Sequence, residues 1–143
     1  MFGSKFSQFR PQHFISAGHN RTHLFRSVTG AIEEILSEAL VLGLFDDASY
    51  ESRMLDLDKG DILVVFSDGL TDAQNQKEEM FGEERLVKII QRQAPSGSHA
   101  LKQGFLTAIE EFTEGMPQTD DITFAIVEKS QREIGVPFCT DRI

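Results

Sequence analysis

The sequence contains no tryptophan, one tyrosine and one cysteine among its 143 residues. A single cysteine, Cys139, excludes an intrachain disulfide framework and a zinc site built on cysteines. That usage fits a reducing compartment and points to a cytoplasmic protein. Basic residues are scarce: 14 Lys and Arg stand against 23 Asp and Glu, for a net charge of -9. So acidic a surface repels phosphate backbones, which argues against general binding to nucleic acid or to an anionic membrane. It suits divalent cations or basic patches on a partner. No apolar run is long enough to span a bilayer, and no charged start followed by an apolar middle marks a secretion signal. Internal repeats and low-complexity tracts are absent. So are a Walker loop, a glycine-rich dinucleotide fingerprint, a nucleophile elbow and a His-Glu-x-x-His zinc motif.

What is present is the material of one folded domain. Apolar residues make up 40 % of the chain, and 12 of them are phenylalanine. A chain of this length can bury one sizeable core. The stretch "HFISAGHNRTHLFRS" reads as two short strands around a turn at Gly18, His19 and Asn20, residue types that tolerate left-handed backbone. "SVTGAIEEIL" places another turn at Gly30. From Tyr50 to Leu57 polar and apolar residues mix, as in a half-buried strand. "DLDKGD" then turns the chain into the continuous apolar run Ile62–Phe66, a central strand. The span from Tyr50 to Phe66 is therefore expected to be an antiparallel hairpin.

Two helices are predicted next. In "GEERLVKIIQRQ", Leu86, Ile89 and Ile90 form one stripe, with Glu83 and Glu84 in the first turn and Arg92 in the last, as the helix dipole favours. Phe81 before Gly82 reads as a hydrophobic staple. "APSG" ends that helix, and Ser98 is the expected N-cap of the next. The second stripe is Leu101, Phe105, Ala108, Ile109 and Phe112, closed by Gly115 and Pro117. Ile122–Val127 is a second continuous apolar strand, and residues from Lys129 to 143 show no periodicity and read as a tail. Strands, two helices and a further strand, without running β-α-β alternation, give an α+β fold: antiparallel sheet covered by helices on one side.

The chemistry concentrates at two strand ends. Asp68 lies just past the end of Ile62–Phe66, and Asp120 and Asp121 precede Ile122–Val127. If the two runs are antiparallel neighbours, those ends meet. Carboxylates so placed repel unless protonated or bridged by a cation. Oxygen-only ligands suit hard ions such as Mg²⁺ or Mn²⁺. The plainer reading is that Asp-Gly is a common turn pair and that aspartates often flank strands. Asp72, Glu78 and Glu79 read as a solvated loop. Gly69 allows close approach of backbone or ligand. His19 and Asn20, in their turn, are either surface residues or ligand contacts.

Taken together, five stretches resemble one known family: "SAGHN", "GLFDDASYE", "KGDILVVFSDGLTDAQN", "MFGEERL" and "QTDDITFAIV". In this order they resemble the metal-dependent PPM (type 2C) serine/threonine phosphatases, in their bacterial SpoIIE-like branch. The likeness runs from about His13 to Glu128, so residues 1–128 read as the C-terminal part of such a domain and 129–143 as its tail. The resemblance implies a partial α-β-β-α sandwich and, in the complete domain, a site for two Mg²⁺ or Mn²⁺ ions. It makes Asp68 and Asp120 metal ligands and catalytic residues and counts Asp121, in the adjoining position, with the metal site. His19, Asn20 and Gly69 become substrate contacts. It implies hydrolysis of phosphoserine or phosphothreonine by a metal-activated water, on a phosphorylated anti-anti-sigma-type regulatory protein. The family's upstream Gly-Asp and Gly-His-Gly blocks have no counterpart here. That leaves a second reading, a catalytically inactive phosphatase-like module that binds a regulator, and an open sheet edge through which copies could associate.

Overall fold

The computed structural model describes residues 12–16, 22–35, 43, 46–47, 49–50, 52–118, 120–130 and 138–142. Its main sheet has five antiparallel strands in the order β3-β2-β5-β6-β7. These are β2 (Thr22–Phe25), β3 (Ile32–Ile35), β5 (Ile62–Phe66), β6 (Thr123–Glu128) and β7 (Phe138–Arg142). The short strands β1 (Gln12–Phe14) and β4 (Arg53–Leu55) pair with each other in a second, two-stranded sheet. The α+β class with antiparallel sheets expected from the sequence is the architecture observed.

Pleating divides the main sheet's side chains between two faces. Phe25, Ile62, Val64, Phe66, Phe124 and Ile126 point to one face, where they pack with Leu86 and Ile90 of helix α2 (Gly82–Gln93) and Leu101, Phe105 and Ile109 of helix α3 (Ser98–Thr113). Phe105 meets Phe124 edge to face at 5.4 Å, and Phe81 meets Phe112 in the same way at 5.4 Å. On the opposite face Leu24 joins Ile35 and Leu57, with Phe14, Leu55 and Leu63 against them. The small sheet covers that second cluster.

Both helices follow their predicted stripes, but one cap differs. Gly97, at φ 94°, occupies the N-cap of α3, and Ser98 is its first helical residue. The orphan donors are met from across the fold: Glu128 Oε2 on β6 accepts the Ser98 N–H at 2.9 Å and the Ser98 hydroxyl at 2.6 Å. A carboxylate at that position satisfies the helix end and complements its dipole.

Two strand expectations are corrected. Tyr50 to Phe66 is not a hairpin: β4 pairs with β1, while β5 lies between β2 and β6. The two short strands expected on either side of Gly18–Asn20 are present as β1 and β2, and they lie in different sheets. Beyond Lys129, residues Phe138–Arg142 form β7, the outermost strand of this sheet among the described residues, in register with β6 from Thr123↔Arg142 to Val127↔Phe138. The physical reason for the first correction is the buried carboxylate of Asp61, which ties the crossing from the small sheet to the large one. It accepts bonds from the Ser27 N–H at 2.9 Å, the Ser27 hydroxyl at 3.1 Å, the Asp58 N–H at 3.0 Å and Arg26 at 2.9 Å. Arg26 also forks onto Glu33 at 2.8 and 3.0 Å. Burial alone would raise the Asp61 pKa; these donors outweigh it and hold the carboxyl below the usual aspartate value. The β2–β3 turn is thereby locked to the β4–β5 connection. That turn is closed at Gly30, as the sequence predicts, with φ +71° and its N–H on the Arg26 carbonyl at 2.8 Å.

Candidate metal and phosphate site

The register of β5 and β6 brings Phe66 opposite Phe124. The segment leaving β5 therefore runs beside the segment entering β6, at one end of the sheet. Three contacts tie the two. The Ser67 N–H donates to the Thr123 carbonyl at 2.8 Å. The Thr123 N–H donates to Ser67 Oγ at 3.0 Å, and the Ser67 hydroxyl donates to the Asp121 carbonyl at 3.2 Å. Ser67 was not singled out by sequence reasoning. Before an Asp-Gly pair a serine reads as a helix cap, yet its side chain makes no cap bond and bridges the neighbouring segment instead.

Directly after Ser67 the chain makes a short helical turn, α1 (Asp68–Thr71), rather than the β-turn that Asp-Gly suggests. Leu70, fully buried, anchors this turn in the main core. The Asp72 N–H donates to the Asp68 carbonyl at 2.8 Å, and the Thr71 hydroxyl to the same carbonyl at 3.1 Å. Gly69 is buried against the opposing segment. A Cβ placed there would lie 2.4 Å from the Asp121 carbonyl oxygen and 3.0 Å from its carbon. Close backbone approach therefore requires glycine at this position.

Asp68, Asp120 and Asp121 are all exposed to solvent. The Asp120 carboxylate accepts the Asp121 N–H at 2.7 Å, which fixes its direction locally. Among the described residues no three His, Cys, Asp or Glu side chains stand close enough to hold a metal ion. The donor chemistry of the paired strand ends nevertheless fits a hard divalent cation: carboxylate oxygens, accessible to water, on rigid backbone. The local charge fits as well. Residues 67–76 and 110–128 contain no lysine or arginine, and they carry Asp68, Asp72, Glu110, Glu111, Glu114, Asp120, Asp121 and Glu128. His19, Asn20, Leu44 and Phe45 lie outside the described residues.

The strand behind the site is braced by His23. This buried side chain stacks on Phe66 with ring centroids 5.7 Å apart and an interplanar angle of 12°. Its Nε2 lies 3.1 Å from Glu83 Oε1 in the first turn of α2. The contact joins the end of β5 to the start of that helix. A lone histidine among apolar residues gives no such signal in sequence.

Residues 9–130 match the family model for Stage II sporulation protein E (SpoIIE). Protein IcfG of a Synechocystis strain is 28 % identical over 121 residues, covering 82 % of this chain and 18 % of that protein. Phosphoserine phosphatase RsbU of Bacillus subtilis is 32 % identical over 63 residues, covering 44 % of this chain and 19 % of RsbU. The chain thus spans less than a fifth of either curated relative. Among solved structures, the SiaA-PP2C domain of Pseudomonas aeruginosa superposes with TM-score 0.71 at 20 % identity, covering 85 % of this chain and 47 % of that one. The Mn-presoaked phosphatase domain of the cell fate determinant SpoIIE from Bacillus subtilis gives TM-score 0.62 at 14 % identity, covering 90 % and 55 %. At these identities the structural likeness speaks for the fold.

Proposed function

Because the chain belongs to the SpoIIE family of type 2C phosphatase domains, we propose that it serves a metal-dependent protein serine/threonine phosphatase, with Asp68 and Asp120 as metal ligands and Asp121 beside them. The substrate class is phosphoserine or phosphothreonine on a regulatory protein, of the anti-anti-sigma type. The observation that carries this reading is the junction of the two acidic strand ends, clamped by Ser67 and closed down on Gly69. The name of RsbU, a phosphoserine phosphatase, and the manganese used with the SpoIIE domain support it from outside the chain.

Bound Mg²⁺ or Mn²⁺ would supply an acidified water and would neutralise phosphoryl oxygens. This chain's own residues supply the rest. β5 and β6 hold the two carboxylate-bearing segments on paired backbone, so that neither can drift relative to the other. Gly69 leaves no side chain between α1 and the Asp121 carbonyl, which keeps the segments in contact. The bond from the Asp121 N–H keeps Asp120 oriented. The acidic segments raise the local cation concentration and disfavour a bare phosphate until cations are bound. His19, Asn20 and Gly69 remain the proposed substrate contacts, and the setting is cytoplasmic.

The direct test is Mn²⁺-dependent release of phosphate from a serine-phosphorylated regulator by the full chain and by its Asp68→Asn and Asp120→Asn variants. The proposal expects each substitution to lower the rate by about 100-fold or more. No release by the native chain, or equal rates in native and variants, contradicts it.

A further inference from the structure

Next to Asp120 lies a pocket of about 50 Å³ whose apolar walls the phosphatase reading does not use. Gly69 and Ala73 of the α1 segment form one wall, and Met116 and Pro117 after α3 form the other. Ile122 supplies apolar surface, and Asp120 stands in the lining itself. Ala73 is nearly buried, whereas Met116 keeps 42 % of its surface exposed. Gln74, also in the lining, pairs with Met80, whose side chain is 55 % exposed. Thr113 and Gln118 complete the lining, so this small cleft combines apolar walls with a polar rim, and the exposed Met116 stands in one wall. Methionine's flexible thioether adapts to differing partner shapes and is over-used on binding surfaces.

We propose that this pocket is a specificity pocket for the protein substrate: it takes a branched aliphatic side chain, leucine, isoleucine or valine, close to the phosphorylated residue, on a segment that carries lysine or arginine. The assignment of the occupant as a neighbour of the phosphorylated residue rests on the function proposed above, because it is Asp120 that links the pocket to the phosphate. Size sets the apolar part. A cavity of roughly 150 Å³ is what accommodates a benzene ring, so 50 Å³ admits the end of an aliphatic side chain and excludes an aromatic one. Charge complementarity sets the rest. The two segments that build the pocket carry acidic side chains and no basic ones. A cationic segment is attracted there and an acidic one repelled.

The experiment uses the full chain and fluorescein-labelled phosphoserine nonapeptides, with affinity read by anisotropy. The reference peptide has arginines flanking the phosphoserine and a leucine two residues away. In three others, that leucine is alanine, that leucine is phenylalanine, or the arginines are glutamates. The inference expects the reference to bind about tenfold more tightly than each of the other three. Ala73→Leu, which fills the pocket, and Met116→Ala, which removes one wall, should each erase the leucine preference while circular dichroism remains unchanged. The peptide comparison on the native chain needs no variant, so a failure of Ala73→Leu to fold does not remove the test. Equal affinity for the leucine and alanine peptides overturns the inference, as does absence of binding up to about 1 mM. Self-association of the chain abolished by Ala73→Leu, without peptide discrimination, also overturns it and assigns the pocket to a second copy. Failure of the phosphatase reading looks different: phosphate release insensitive to Asp68→Asn, with the leucine preference intact.

Discussion

Replacing Gly69 by alanine sets two effects of opposite sign against each other. Gly69 lies inside the helical turn Asp68–Thr71, and its φ is not in the positive range. On conformational grounds alone, alanine should stabilise the protein by about 0.5–1 kcal/mol. Packing says otherwise. The added Cβ meets the Asp121 carbonyl oxygen at 2.4 Å, about 1 Å inside ordinary van der Waals contact, and the obstacle is backbone rather than the end of a flexible side chain. Ser67 fixes that backbone through the Asp121 carbonyl and Thr123 N–H, so it can yield only by loosening those bonds. Forcing such a shift costs about 1–3 kcal/mol. The net expectation is a loss of about 1–2 kcal/mol, read as a lower urea midpoint at unchanged m value and a fall of a few degrees in Tm. The same displacement separates Asp68 from Asp120 and should weaken Mn²⁺ binding by more than the stability change requires. A Gly69→Ala variant as stable as the native chain, or more stable, would refute the reasoning about this contact.

Three further substitutions have expected outcomes. Asp61→Asn should destabilise the fold by about 3 kcal/mol in urea denaturation, since it leaves Arg26 and the Ser27 and Asp58 donors imperfectly met around a buried group. The pH dependence follows from the lowered carboxyl: its stabilisation is complete above the unfolded-state pKa and is lost as pH falls through the folded-state value. The native chain should therefore lose stability on acidification more steeply than Asp61→Asn. Glu128→Gln weakens two bonds to Ser98 at the start of α3 and should cost about 1 kcal/mol in the same assay. Phe105→Ala, at a fully buried ring packed on Phe124, should cost about 3–5 kcal/mol.

Much of this fold is legible in the sequence because it rests on local signals. The stripes Leu86–Ile90 and Leu101–Phe112 specify helices by spacing alone, and the continuous runs Ile62–Phe66 and Ile122–Val127 mark strands of the main sheet. Antiparallel pairing of those two runs then makes the segment after Phe66 adjoin the segment before Thr123, whatever the rest of the chain does. Choice of partner is not local, and there the reading fails. Nothing between Tyr50 and Phe66 reveals that Asp61 is buried and bound by Arg26, some 35 residues earlier. Without that clasp, a short turn between two apolar stretches looks like a hairpin. β7 escapes notice because an edge strand needs no continuous apolar run. Ser67 escapes because a serine hydroxyl is as suited to capping as to bridging, and only the position of Asp121 and Thr123 decides between them.

The central claim is that Asp68 and Asp120 hold a divalent cation together. It is tested most directly by titrating Mn²⁺ into the native chain, Asp68→Asn, Asp120→Asn and the double variant, following free Mn²⁺ by electron paramagnetic resonance. Shared coordination predicts that either single substitution weakens binding at least about tenfold and that the double variant is little worse than either single one. Native-like Mn²⁺ affinity in both single variants would contradict it.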